Sequence, residues 1–171
     1  MKETKEIKLT IDGKEVRLTD EQLKMLGIEK DEARKNPFDR VEKGETYYCS
    51  CFDGTALAII EEGDACDTRE YDSADYFNDA QFAKRVALHQ LLYRKLLKFA
   101  YDNECEDNQI WRGNGIEHWH IGYDFVKCVF YAGWVSNFKY NDVYFSTKEA
   151  TERAIKEVVE PFMKEHPEFV W

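Results

Sequence analysis

The chain has 171 residues, of which 43% are hydrophobic, 34% charged and 15% aromatic, and its formal net charge is −10. That length suits one domain, or one domain with a small appended module, and the composition argues against disorder or a coiled coil. The acidic balance argues against direct nucleic-acid contact, which needs a basic surface that releases phosphate counterions.

No apolar run approaches the ~20 residues that span a bilayer, and Met1-Lys2-Glu3-Thr4-Lys5-Glu6 is too charged for a secretory leader. A cytoplasmic protein without membrane contact is the expectation. Cys49, Cys51, Cys66, Cys105 and Cys128 are odd in number and lack CxxC spacing, so they read as reduced thiols in packing roles.

In chain order, Ile7, Leu9 and Ile11 alternate with polar residues before Asp12-Gly13, and Val16 and Leu18 follow, the pattern of a tight hairpin. A short helix is predicted next, with Thr19 as N-cap, Gln22 closing a capping box and Gly27 as the left-handed stop. This module covers 1–27. Residues 28–45 are charged and weakly patterned, Asn36-Pro37 disfavours helix, and they read as a linker.

The first main unit, 46–103, starts with a hairpin of Tyr47, Tyr48, Cys49, Cys51 and Phe52 that turns at Asp53-Gly54 and returns through Ala56-Leu57-Ala58-Ile59-Ile60. An acidic loop is expected next. From Glu61 to Asp79 it holds Glu61, Glu62, Asp64, Asp67, Glu70, Asp72, Asp75 and Asp79 against Arg69 alone, which is 7 of the 10 net negative charges. After Tyr76-Phe77 a long helix is predicted to about Asp102, with Asn78 as N-cap, Gln81 in its capping box and Phe77 stapled to Phe82.

The second unit, 104–171, has strands over His118–Tyr123, Val126–Val135 and Asp142–Phe145. Ser146 and Glu149 then form a capping box before a helix with Ala150, Ala154, Ile155, Val158 and Phe162 on its buried side, perturbed at Pro161. Tyr76-Phe77 and Tyr144-Phe145 thus open two helices alike, 68 residues apart. The fold class is α+β: an N-terminal β-hairpin with a short helix, then two antiparallel-strands-plus-helix units forming a candidate internal repeat, with 46–171 one compact domain.

Three stretches, Asp142–Ala150, Ala87–Leu96 and Pro161–Pro167, resemble a family of uncharacterised proteins of phages, prophages and mobile elements of Gram-positive bacteria, and the opening Ile11–Leu23 is similar to a leader on several of them. The resemblance transfers no active-site residues, and Asn78-Asp79-Ala80-Gln81 departs from the family's Ser/Thr-Lys-Glu-Glu style. It implies a bacterial host cytoplasm and a small acidic inhibitor of host machinery, of the anti-defence or anti-CRISPR type.

The chemistry readings are weighed on residue type and spacing. His118 and His120 share one strand face and could join Cys128 or Cys105 around a metal, but two ligands without a second pair read better as partly exposed strand histidines. The acidic segment lacks the spacing of a calcium loop. There is no nucleophile elbow, P-loop or dinucleotide fingerprint, and Arg112-Gly113-Asn114-Gly115 has loop character only. No cofactor is called for. Lys84, Arg94, Lys95 and Lys98 form a basic stripe on the long helix, opposite Phe82, Val86, Tyr93, Leu96 and Ala100, and His89 reads as a buried, hydrogen-bonded histidine. Phe169-Val170-Trp171 is apolar enough to dock on the body or on a partner.

The leading expectation is a non-enzymatic binding protein that meets a basic host protein through Glu61, Glu62, Asp64, Asp67, Glu70, Asp72 and Asp75, a mimic of nucleic-acid charge. The alternative is a nucleotide-signal sponge using Lys84, Arg94, Lys95, Trp119, Tyr123 and Trp134. A metal-dependent hydrolase ranks third.

Overall fold

A computed structural model describes residues 9–11, 14–16, 36–111 and 115–171. The chain divides into Met1–Asn36 and Pro37–Trp171. In the first unit β1 (Leu9–Ile11) and β2 (Lys14–Val16) pair antiparallel, Leu9 opposite Val16 and Ile11 opposite Lys14, the expected hairpin. Its turn at Asp12-Gly13 and the helix predicted over Thr19–Gly27 lie outside the described residues.

Pro37–Trp171 is α+β, with hairpins β3 (Thr46–Ser50)/β4 (Ala56–Ile60) and β5 (His118–Asp124)/β6 (Val129–Val135). Both are antiparallel, and they form separate two-stranded sheets. Residues 37–45, read as linker, belong to this unit: the Asn78 N–H donates to the Pro37 carbonyl at 2.9 Å, and the Val41 N–H donates to the Tyr76 hydroxyl oxygen at 3.2 Å.

The acidic stretch expected as a loop folds as helix α1 (Ala65–Asp72). The Asp64 carboxylate caps the N–H groups of Cys66 and Asp67, and the Asp67 side chain bonds back to the Asp64 N–H, a capping box of two aspartates. Periodicity missed it because eight residues with almost no apolar stripe give no helical signal.

Helix α2 (Ala80–Asp102) ends where the sequence places its end, but its N-cap is Asp79, not Asn78. Asn78 is engaged elsewhere, its N–H with Pro37 and its amide with the Asp39 carbonyl. The second cap shifts by the same residue: Thr147, not Ser146, caps α3 (Lys148–Ala154), its hydroxyl oxygen accepting the Ala150 N–H at 3.1 Å, while the Ser146 N–H donates to the Cys105 carbonyl. The 68-residue offset of the two helix starts is thereby preserved.

Past α3 the chain widens into a π turn over Ile155–Val159 and resumes as α4 (Glu160–Glu165). The Glu160 N–H reaches back to the Ile155 carbonyl, so the helix passes Pro161, which has no N–H to give, without breaking.

The strand predicted over Asp142–Phe145 reduces to one bridging residue. Phe145 bridges both Trp119 and Glu106, and Phe77 bridges Tyr48, so each junction phenylalanine is a one-residue strand beside its hairpin. Helix α2 carries the larger of two core clusters. Its Leu88, Leu92, Leu96, Phe99 and Ala100 pack with Ile121, Phe145, Ala154, Val159 and Phe162, while Tyr47, Cys49 and Tyr76 form a smaller cluster. The β3–β4 turn rests on the same helix: Gly54 has φ +88°, and a Cβ there would lie 2.9 Å from Leu88 Cδ2.

Candidate functional site: an acidic helix held by buried carboxylates

Two of the seven carboxylates assigned to a partner surface are buried, which corrects their assignment. Glu61 is 3% exposed and takes a two-pronged ion pair from Arg40, Nη2 to Oε1 at 2.9 Å and Nε to Oε2 at 3.0 Å. Its oxygens also accept the Tyr76 hydroxyl at 2.8 Å and the Gly63 N–H at 2.9 Å. The Arg40 hydrogen bond, against the opposing effect of burial, holds this carboxyl below its ordinary range.

Asp67, also 3% exposed, accepts the Tyr47 hydroxyl through Oδ1 at 2.9 Å. Its Oδ2 gathers the N–H groups of Glu62, Gly63 and Asp64 at 2.8, 2.8 and 3.1 Å. Burial pushes the Asp67 carboxyl up, but the four donors outweigh it and bring the pKa down to about 2. Tyr47 and Tyr76 stack at 4.0 Å between these two anchors, and burial followed by Glu61 pushes the Tyr76 hydroxyl up to about 12. These residues fasten α1 to the first hairpin and point inward, as buried anions need donors on every lone pair.

What remains outside is Glu62, Asp64 and Asp72, all exposed, with Glu70 half-buried and bonded by Arg69 at 3.0 Å. Asp75 is half-buried too, its Oδ1 fixed by the Ser50 N–H at 3.0 Å and hydroxyl at 2.7 Å. The whole net charge of −10 lies in residues 37–171, which hold 25 acidic and 15 basic residues. The acidic face is therefore smaller than the sequence implied, and its helix is fastened to the first hairpin.

The alternative set does not converge. Lys84 pairs with Glu168 at 2.7 Å, Arg94 donates to the Phe52 carbonyl at 2.8 Å, Lys95 lies over the Phe162 ring, and Lys98 bonds Asp102 one turn on. Trp119 packs on the main core, Tyr123 meets Phe125 and Phe130, and Trp134 is 52% exposed. His89 is exposed, its ring tilted at 56° against Phe169, which corrects its reading as a buried histidine. Tyr93 is exposed as well.

A cleft of about 640 Å³ does open beside Arg94, lined also by Tyr93, Asp142, Phe169 and Trp171. The sequence signalled it only through the apolar Phe169-Val170-Trp171, whose Phe169 is buried and whose Trp171 packs on Phe130.

His118 and His120 share a face of β5 as expected, but each is held by an aspartate and not by thiolates. His118 Nδ1 is 2.5 Å from Asp107 Oδ2 and His120 Nδ1 is 3.1 Å from Asp142 Oδ2. His118 is wholly buried beneath Trp111, stacked at 3.6 Å, which corrects its reading as a partly exposed strand histidine. Among the described residues no helix is long and apolar enough to cross a membrane. The chain matches no family model, no curated protein and no solved structure.

Proposed function

We propose that this chain is a non-enzymatic acidic binding protein of phage or mobile-element origin that inhibits a host protein, presenting the outer face of α1 to a basic site in place of nucleic-acid phosphates. The observation that carries the reading is the division of labour among the carboxylates of residues 61–75. Glu61 and Asp67 are consumed in anchoring α1, which leaves Glu62, Asp64 and Asp72 exposed on a frame that loses little freedom on binding. Fixed charge of one sign steers a basic partner, and exposed aromatic side chains such as Tyr71 supply contact area beside it.

The test is a triple variant, Glu62→Gln, Asp64→Asn and Asp72→Asn. It removes three exposed charges and keeps an N-cap at position 64, since asparagine caps as well as aspartate. Binding to immobilised polyarginine and capture of proteins from a bacterial lysate are measured at low and high salt. Capture by the native chain should weaken with salt, and the variant should bind less and with a shallower salt dependence. Unchanged capture and an unchanged salt slope would reject the reading.

The cleft favours a second reading, a small-molecule binder, because Arg94 and the rings of Tyr93 and Trp171 line it together. Micromolar nucleotide should then raise the melting temperature through linkage, and no shift across a nucleotide panel counts against it.

A further inference from the structure

Helices α1 and α2 end in the same Schellman motif. Each places a non-glycine residue in the left-handed position, Ala74 at φ 58° and Glu104 at φ 52°. The six-to-one bonds run from the Asp75 N–H to the Glu70 carbonyl at 3.0 Å and from the Cys105 N–H to the Ala100 carbonyl at 2.9 Å. The five-to-two bonds run from Ala74 to Tyr71 at 3.1 Å and from Glu104 to Tyr101 at 3.2 Å. The motif sets its first and sixth side chains against each other, commonly as an apolar contact.

At the end of α2 that contact is ordinary, between the buried Ala100 and Cys105. At the end of α1 the same two places hold carboxylates, Glu70 and Asp75, and they converge on Cys49 of β3. One ligand atom from each of the three lies within 4.8 Å of the others. Cys49 is 7% exposed, and among the described residues its Sγ has no hydrogen-bond partner. Burial, then Asp75 and Glu70, push its thiol up to about 12. Arg69 offsets the Glu70 charge from the exposed side and Ser50 holds Asp75, and a cation shared with the buried thiol would offset the repulsion that remains between the two carboxylates.

We propose that Cys49, Glu70 and Asp75 bind a divalent cation of the zinc class, with solvent as the fourth ligand. One sulfur and two carboxylates suit zinc or cobalt(II) and disfavour magnesium and calcium, which take oxygen ligands. Bonds of about 2.0–2.3 Å need the three ligand atoms somewhat closer together, within reach of side-chain rotation. Ser50 orients the Asp75 carboxylate through Oδ1, as outer groups commonly orient metal ligands. On binding, the Cys49 S–H bond breaks, its proton goes to solvent and the sulfur pair is donated to the metal, so affinity falls as the solution is acidified. The site stands apart from the partner reading, whose test leaves all three ligands in place.

The experiment is a cobalt(II) titration of the full chain in which Cys51, Cys66 and Cys128 are serine, followed by thiolate-to-cobalt charge-transfer absorption. A band that saturates at one equivalent, is displaced by zinc and is lost on adding Cys49→Ser is expected. Asp75→Asn keeps the Oδ1 acceptor for Ser50 but weakens a ligand, and it should reduce cobalt affinity at least tenfold with the fold intact by circular dichroism. Absence of the band, or a band that survives Cys49→Ser or is indifferent to Asp75→Asn, would overturn the assignment.

Discussion

Tyr47 and His118 hold the same place in the two hairpins of Pro37–Trp171, each one residue before the strand position that bridges a junction phenylalanine. Each is a fully buried ring with a polar tip, and each gives that tip to an aspartate, Asp67 and Asp107 respectively. Two residues on, the arrangement recurs in a second form: Cys49 faces Asp75 and Glu70, and His120 meets Asp142. The two units share a backbone plan and a pattern of polar pairs behind it, although their residues differ.

Tyr47→Phe removes one of the four donors that satisfy Asp67 while keeping the ring stacked on Tyr76. A loss of about 1–2 kcal/mol at neutral pH is expected in urea unfolding. The sign of its pH dependence follows from a folded-state pKa that lies below the unfolded one. Asp67 contributes stability above about pH 4, and that contribution is lost as the pH falls through about 2. The gap between variant and native chain should therefore narrow on acidification. A gap that stays constant down to pH 2 would separate Asp67 from the effect.

Asp107→Ala strips the hydrogen-bond partner from His118, whose Nε2 has none among the described residues. A buried imidazole with neither nitrogen satisfied should cost about 2–4 kcal/mol. Asp107→Asn keeps an acceptor and should cost less. Trp111 fluorescence, taken as the difference from a Trp111→Phe chain because three other tryptophans also emit, reports the change, since its indole stacks on His118.

Ala74→Gly and Glu104→Gly replace side chains held in the left-handed region by the one residue that adopts it freely. Each should raise stability by about 0.5–1 kcal/mol in thermal unfolding, after allowance for the extra freedom glycine gives the unfolded chain. A loss of stability would show that the side chain contributes more than its backbone strain costs.

Gly122 and Gly133 lie under the Tyr131 ring. A Cβ at Gly122 would fall 2.4 Å from Tyr131 Cζ, and one at Gly133 3.2 Å from Cε2. Gly122→Ala should cost up to about 1 kcal/mol, because the Tyr131 ring it displaces is half exposed and can swing aside. In a Tyr131→Ala background the same change should be nearly neutral, a coupling that a double-mutant cycle reads.

Local chemistry made much of the unit legible in the sequence. Asp53-Gly54 closes β3 to β4 because glycine supplies the positive φ the turn needs, and the alternation of β5 puts His118 and His120 on one face. The junctions at Tyr76-Phe77 and Tyr144-Phe145 announced both helices, but each cap fell one residue late. Asn78 and Ser146 cap well in isolation, and distant carbonyls at Pro37 and Cys105 hold their backbone N–H groups. The helix stops at Ala74 and Glu104 gave no signal, since neither is glycine.

The sequence by itself determined that the acidic stretch carries most of the net charge, because charge is a property of composition. Only the tertiary structure decided which of those carboxylates face outward. Glu61 and Asp67 look the same in sequence as Glu62 and Asp64, yet Arg40, Tyr47 and Tyr76 reach across to meet the first pair and not the second. A buried charge exists where donors converge on it, and that convergence involves residues 15 to 21 positions apart, beyond the reach of any local pattern.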